Sequence, residues 1–157
     1  MRPALSCLQS DRMTAMTSGL ESNELSAGMR LPELRKLITQ QQINLYAEAS
    51  QDFNPIHINE EFARQTPLGG TVAHGMLILS YISELMTANF GKSWLTSGKL
   101  SARFKAPARP GDTITVAGKI TRVQKEDGYL SIDCDILCQN QRNETVIASE
   151  TKVSVPV

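Results

Sequence analysis

Residues 75–86 are apolar almost without a break, and Met76, Leu77, Ile78, Leu79, Tyr81, Ile82, Leu85 and Met86 are spread around the helical wheel. A helix without a polar face has no side to turn toward water, so it must be enclosed by the rest of the fold. The chain supplies the enclosure directly afterwards. Residues 113–123, 130–138 and 145–155 alternate with period two, and a shorter segment over 99–105 precedes them. Glu126-Asp127-Gly128 and residues 140–143 read as hairpin turns between the long strands. One buried helix followed by antiparallel strands predicts an α+β fold, with the sheet wrapped around the helix.

A chain of 157 residues is long enough for one such core and does not require two. The first 25 residues are polar, rich in Ser, Thr and Met, and without periodicity. They are expected to form a disordered leader, leaving 26–157 as a single domain. No apolar h-region develops before Met13, and no run approaches the roughly 18 apolar residues that span a bilayer. Sixteen basic and sixteen acidic residues balance, so no global field recruits nucleic acid or an anionic membrane. Cys7, Cys134 and Cys138 form an odd set without zinc-type spacing. The last two fall in an alternating strand and read as small buried hydrophobes, consistent with a reducing cytoplasm.

Upstream of the apolar helix, 31–38 reads as an edge strand and Thr39 as the N-cap of a helix over 40–49, with Ile43, Tyr46 and Ala47 along one face. Asn59 caps a short helix over 60–63, and Pro67 with Gly69-Gly70 breaks the pattern into a mobile loop. Between these helices lies Asp52-Phe53-Asn54-Pro55-Ile56-His57. Pro55 fixes its own φ and pushes Asn54 out of helical geometry, so the segment is expected to be a shaped loop. A carboxylate and an imidazole so placed can hold one water, one group taking its proton while the other positions it. That is the requirement for adding water to an activated double bond or removing it. On the local segment alone an alternative stays open, in which Asp52 caps a turn and His57 packs beneath it.

The wider pattern is more specific. Tyr46, Ser50, Asp52, Asn54, Pro55, Ile56, His57 and Ala63 fall at the motif positions of a known family, Val72-Ala73-His74-Gly75-Met76-Leu77 follows, and a second block runs from Arg103 through Pro107 to Asp112. Over roughly 26–155 the chain resembles the MaoC-like (R)-specific enoyl-CoA hydratases and (3R)-hydroxyacyl dehydratases. The resemblance implies a hotdog fold, an edge-paired homodimer or larger assembly, and no cofactor. It implies reversible hydration of a trans-2-enoyl-CoA or acyl-carrier-protein thioester to the (R)-3-hydroxyacyl thioester. Asp52 and His57 would be the catalytic dyad, the Gly75 backbone amide the oxyanion donor, and Ser50, Asn54 and Pro55 the residues that shape the loop. A helix N-terminus suits the oxyanion role because its unpaired N–H groups and its dipole point outward together. The chain departs from the motif at Gln51, where the family has glycine, and at Ala49; the first change removes a residue that adopts positive φ at little cost.

Two further groups carry competing readings. His74 is either a structural helix-start histidine or a third group at the substrate; with Asp52 and His57 it also makes the two-histidine, one-carboxylate set known from iron sites. The dyad already accounts for two of those three residues, so no metal is expected. Arg103, Lys105 and Arg109 are either a solvated strand face or the contact for the phosphates of a CoA or carrier-protein arm. The alternative functions are a hotdog thioesterase, which would attack the thioester carbonyl, and a non-catalytic acyl-thioester-binding subunit. Gln51 is the sequence support for the latter.

Overall fold

The computed structural model describes residues 24–157. The expected leader up to residue 23, and Cys7 within it, lie outside the described residues. Leu25, the last residue of the expected leader, packs into the core.

In chain order the elements are β1 (Leu34–Leu37), α1 (Gln40–Ser50), α2 (Pro55–Ile58), α3 (Glu60–Arg64), α4 (Gly75–Ser97), β2 (Lys99–Phe104), β3 (Thr113–Glu126), β4 (Tyr129–Gln139) and β5 (Thr145–Pro156). The five strands form one antiparallel sheet in the order β1-β3-β4-β5-β2, wrapped on α4 in the hotdog arrangement. The alternation of the sequence sets which face is inside: Ile114, Val116, Ile120, Ile132, Cys134, Ile136, Cys138, Ile147 and Val153 are buried against Ile78, Ile82 and Met86 of α4. Each large side chain so enclosed contributes about 1.5–3 kcal/mol of transfer free energy. Burial also pushes the Cys134 thiol up to about 11 and that of Cys138 to about 12, so both stay neutral and act as packing groups. The β3–β4 hairpin closes over two residues, with Glu126 paired to Tyr129 and Gly128 at φ 80°, a backbone state that its missing Cβ permits.

Three local features refine the expectations. The first strand shortens to four residues, paired with β3. The central helix runs beyond Met86 to Ser97, with a break at Gly91, whose φ of 50° and ψ of −131° are open to glycine. Asn89 is buried within this extension because its side chain donates to the Leu85 carbonyl at 2.8 Å, and Trp94 folds back to donate to Ser83 Oγ at 3.0 Å. Third, the segment expected to be a non-helical loop contains one helical turn, α2. Proline suits the first helical position, where its missing N–H has no intrahelical partner to lose, and the restriction that it imposes falls on Asn54, which stays outside the turn at ψ 126° as the N-cap. The expected caps of the neighbouring helices are present. Thr39 and Gln42 form a capping box on α1, and Asn59 Oδ1 accepts the Phe62 amide at 3.0 Å.

Candidate active site

The turn that carries the dyad is held by its own side chains. Ser50 Oγ accepts the Asp52 amide at 3.4 Å, Asp52 Oδ1 accepts the Asn54 amide at 3.2 Å, and Asn54 Oδ1 accepts the Ile56 amide at 3.2 Å. Three short polar residues at a spacing of two thus each bind the amide two residues on, which is the geometry that Ser, Asp and Asn offer in place of helix. Gln51 begins this departure from α1 in the left-handed region, at φ 60° and ψ 23°. The position therefore requires positive φ, and a glutamine occupies it.

α2 then delivers His57 into the interior. Its Nδ1 lies 2.7 Å from the Val72 carbonyl, which can only accept, so Nδ1 carries a proton and in the neutral ring the lone pair is on Nε2. Val72 is itself tied back by its amide to the Ile56 carbonyl at 3.2 Å, and the next amide, Ala73, donates to Ala108 at 2.8 Å. His57 therefore presents a basic nitrogen of fixed orientation.

His74, the N-cap of α4, is buried beside it. Its Nε2 donates to the Asp52 carbonyl at 2.9 Å, its ring stacks on that of His57 with centroids 3.8 Å apart, and the Tyr46 ring lies 4.9 Å away on a tilt. His74 Nδ1 is buried and has no hydrogen-bond partner among the described residues. Its bonds go to the dyad's backbone and its ring face to His57, so the geometry makes it a brace for both dyad residues.

Gly75 occupies the first position of α4, where the amide has no intrahelical acceptor. The ring of Phe104 leans over it; a Cβ on residue 75 would come within 2.9 Å of that ring. Glycine thus lets the Phe104 ring sit this close, and any larger residue would have to push that ring aside; no unusual φ is demanded.

A carboxylate oxygen of Asp52 and one ring nitrogen each of His57 and His74 lie within 4.8 Å of one another. The lone pairs of imidazoles lie in the ring planes, and two rings stacked at 28° send them side by side instead of converging on one ion. The trio fits proton handling better than it fits a shared metal.

The three cations proposed as one cluster are divided by the fold. Arg103 lies on the outer face of the sheet, in a groove with Ser101, Asp135 and Glu150. Arg109 lies in another groove beside Glu60, Arg64 and Thr71, where its guanidinium donates to the Leu68 carbonyl at 2.6 Å and its amide to Asp112 Oδ2 at 2.9 Å. Lys105 is exposed beyond the end of β2, its amide donating to Val146. The period-two spacing that put Arg103 and Lys105 on one face carried no information about the acidic neighbours across the strands. Residue types also gave no signal for the Val72 carbonyl, a main-chain acceptor, or for the Phe104 ring over Gly75.

A MaoC-like domain model matches residues 25–134. The (R)-specific enoyl-CoA hydratase of Rhodospirillum rubrum is 33% identical over 125 residues, covering 78% of this chain and 83% of that protein. The 3-hydroxybutyryl-CoA dehydratase of Methylorubrum extorquens is 29% identical over 125 residues, covering 78% and 76%. Among solved structures, the MaoC-like dehydratase from Rhodospirillum rubrum superposes with a TM-score of 0.73 at 26% identity, over 88% of this chain and 97% of that one. The (R)-hydratase from Aeromonas caviae gives the same TM-score at 24% identity, over 86% and 100%, and speaks for the fold alone. With the family model spanning most of the chain and the motif residues gathered at one site, this chain belongs to the MaoC-like domain family.

Proposed function

We propose that the protein catalyses the reversible hydration of a trans-2-enoyl thioester to the (R)-3-hydroxyacyl thioester, and the dehydration in reverse. The observation that carries this reading is the 2.7 Å bond from His57 Nδ1 to the Val72 carbonyl, which leaves Nε2 as the nitrogen available to act as base, in a ring that lies close to the Asp52 carboxylate. Relatives named for this chemistry on enoyl-CoA and 3-hydroxybutyryl-CoA support it.

In the hydration direction Asp52 orients the water and His57 Nε2 takes one of its protons. The hydroxyl adds to C3 of the enoyl group, and a proton passes from the dyad to C2 on the same face, which makes the addition syn. Negative charge that builds on the thioester oxygen is met by the Gly75 amide and the N-terminal dipole of the long helix α4. Ser50, Asn54 and Pro55 hold the turn, and His74 braces it. No cofactor enters this scheme.

The acyl carrier is CoA or an acyl carrier protein. Arg109, anchored next to the 66–70 loop in a groove with Arg64 and one carboxylate, Glu60, is a better candidate for its phosphates than Arg103, which shares its groove with two, while Lys105 is an exposed cation beyond the end of β2. A homodimer joined at the sheet edge is supported by exposed Leu100 and Phe104 on β2, which ends the strand order. A cytoplasmic setting is supported by the free thiols of Cys134 and Cys138. Among the described residues no helix is long and apolar enough to cross a membrane.

Incubation with crotonyl-CoA tests the reaction. Loss of the conjugated enoyl absorbance without thiol release, with (R)-3-hydroxybutyryl-CoA as product, is the expected result. Thiol release would make the protein a thioesterase, and neither change would make it a binding subunit.

A further inference from the structure

Gln40 opens α1, 17 residues before His57 and outside the motif, in a run of three glutamines that gives no hint of a role. Its half-buried carboxamide makes three bonds. One N–H donates to the His57 carbonyl at 2.7 Å and the other to Asn44 Oδ1 at 2.9 Å, while its oxygen accepts the Thr71 hydroxyl at 2.8 Å. The orientation of the amide is fixed by chemistry. A main-chain carbonyl can only accept, so the nitrogen must face His57 and the oxygen must face Thr71.

The two ends of this bridge bear on the same side chain. His57 sits next to last in the single turn α2, whose closing carbonyls have no helical partner, and Gln40 satisfies the one that belongs to His57 itself. Thr71 directly precedes Val72, whose carbonyl accepts the His57 Nδ1 proton. The main chain of the histidine and the acceptor that sets its ring are therefore tied to one amide.

We infer that Gln40 is a positioning residue for the reaction, a strut that holds the His57 backbone and its Val72 acceptor in register and so fixes the direction in which Nε2 points. The inference rests on the hydratase reading for its kinetic effect, but its structural content does not. Gln40 has no proton to give or take in the chemistry. Without it α2 keeps only the 3.2 Å bond from the Val72 amide to the Ile56 carbonyl and the histidine's own bond to hold it to the 71–74 segment, so α2 shifts more readily, the Nδ1–H to Val72 bond lengthens, and the ring samples its other tautomer, in which Nε2 is no longer a base.

The test uses Gln40→Met, which keeps length and volume but no hydrogen bonds, with Thr71→Val to cut the other end and Asn44→Ala as the control for the bond made within α1. Misplacement on this scale should lower kcat on crotonyl-CoA by about 10- to 100-fold in Gln40→Met and by a smaller factor in Thr71→Val, with KM within about twofold. Asn44→Ala should stay near wild type, and the double variant should be little worse than Gln40→Met. Nitrogen-15 imidazole spectra should show His57 as a single Nδ1–H tautomer in the wild type and as a mixture in Gln40→Met. Should Gln40→Met not fold, Thr71→Val leaves α1 intact and supplies the same two readouts. An unchanged kcat in the folded variants, an equal loss in Asn44→Ala, or an unchanged tautomer spectrum would overturn the inference. A wild type that does not hydrate crotonyl-CoA would remove the proposed reaction, while the spectra would still decide whether Gln40 orients His57.

Discussion

Replacing His57 with asparagine and with alanine separates its two jobs, because the histidine is both a buried hydrogen-bond donor and a candidate base. The amide nitrogen of asparagine stands the same number of bonds from the main chain as imidazole Nδ1, so His57→Asn can keep the 2.7 Å contact to the Val72 carbonyl. What it lacks is Nε2. Loss of a positioned base is expected to lower kcat by about 10²- to 10⁴-fold, which corresponds to about 3–5 kcal/mol of transition-state stabilisation. Both variants lose the base and the ring on which His74 stacks at 3.8 Å, but His57→Ala also leaves the Val72 carbonyl without its donor, at about 1–3 kcal/mol. The two variants should therefore be equally inactive, with alanine less stable by at least about 1 kcal/mol. Loss of enoyl absorbance from crotonyl-CoA measures the first quantity and urea unfolding followed by circular dichroism the second. A His57→Asn enzyme that retains more than a tenth of wild-type kcat would refute the base assignment. Equal stabilities for the two variants would refute the assigned role of the Val72 bond.

Other sites give separate expectations. Gly75→Ala drives a Cβ to within 2.9 Å of Phe104, whose half-exposed ring can swing aside; stability should hold within about 1 kcal/mol while kcat falls, and Phe104→Ala in the same chain should restore part of it. Asp112→Ala removes a buried carboxylate that accepts from the Arg109 amide, Gln141 and Arg142, and urea unfolding should show a loss of about 2 kcal/mol or more. The raised folded-state values of Cys134 and Cys138 make their stabilising effect complete below the unfolded thiol range; it declines as pH rises toward about 11 and about 12, because the unfolded chain loses those protons first. Stability curves for a double alanine variant should be flatter over that alkaline span. Gln51→Gly should leave hydration equal or faster, since glycine adopts the observed φ of 60° freely, and a large loss in the same assay would assign the glutamine side chain a part in the site.

What could be read in the sequence is what has a period or a rigid local rule. The stretch at 75–86, apolar almost without a break, has one physical solution, enclosure, and alternation over nine or more residues fixes both strand and inner face; α4 and β3 to β5 follow from these. Thr39 and Asn59 could be assigned because capping is a contact over two or three residues. Beyond Met86 the pattern fails, since Thr87, Ala88 and Asn89 dilute it, and burial of Asn89 becomes possible through a bond to its own helix. The least legible parts of the site are those where the partner is backbone. Val72 offers His57 a carbonyl that any residue would carry, so the feature that orients the proposed base is absent from the alphabet of the sequence. Charge behaved likewise: Arg103 and Arg109 are six residues apart, yet one faces Asp135 and Glu150 and the other the Leu68 carbonyl, because strand pairing and loop return decide the neighbours.

Gln51 brings both kinds of information together. Read as a residue type, it departs from the motif and was the ground for considering a subunit without catalysis. Read as a backbone state it departs from nothing, since φ 60° and ψ 23° is the left-handed conformation for which glycine is suited. A side chain there costs about 1–2 kcal/mol. The same side chain returns part of this by donating to the Glu48 carbonyl at 2.6 Å, one of the acceptors that the end of α1 leaves without a helical donor. The turn from Ser50 to Ile56 then proceeds through its three side-chain-to-amide bonds with Asp52 and His57 at the proposed site. The substitution is thus accommodated where it occurs, in the last turn of one helix, and it supplies no physical reason for the dyad beyond it to be idle.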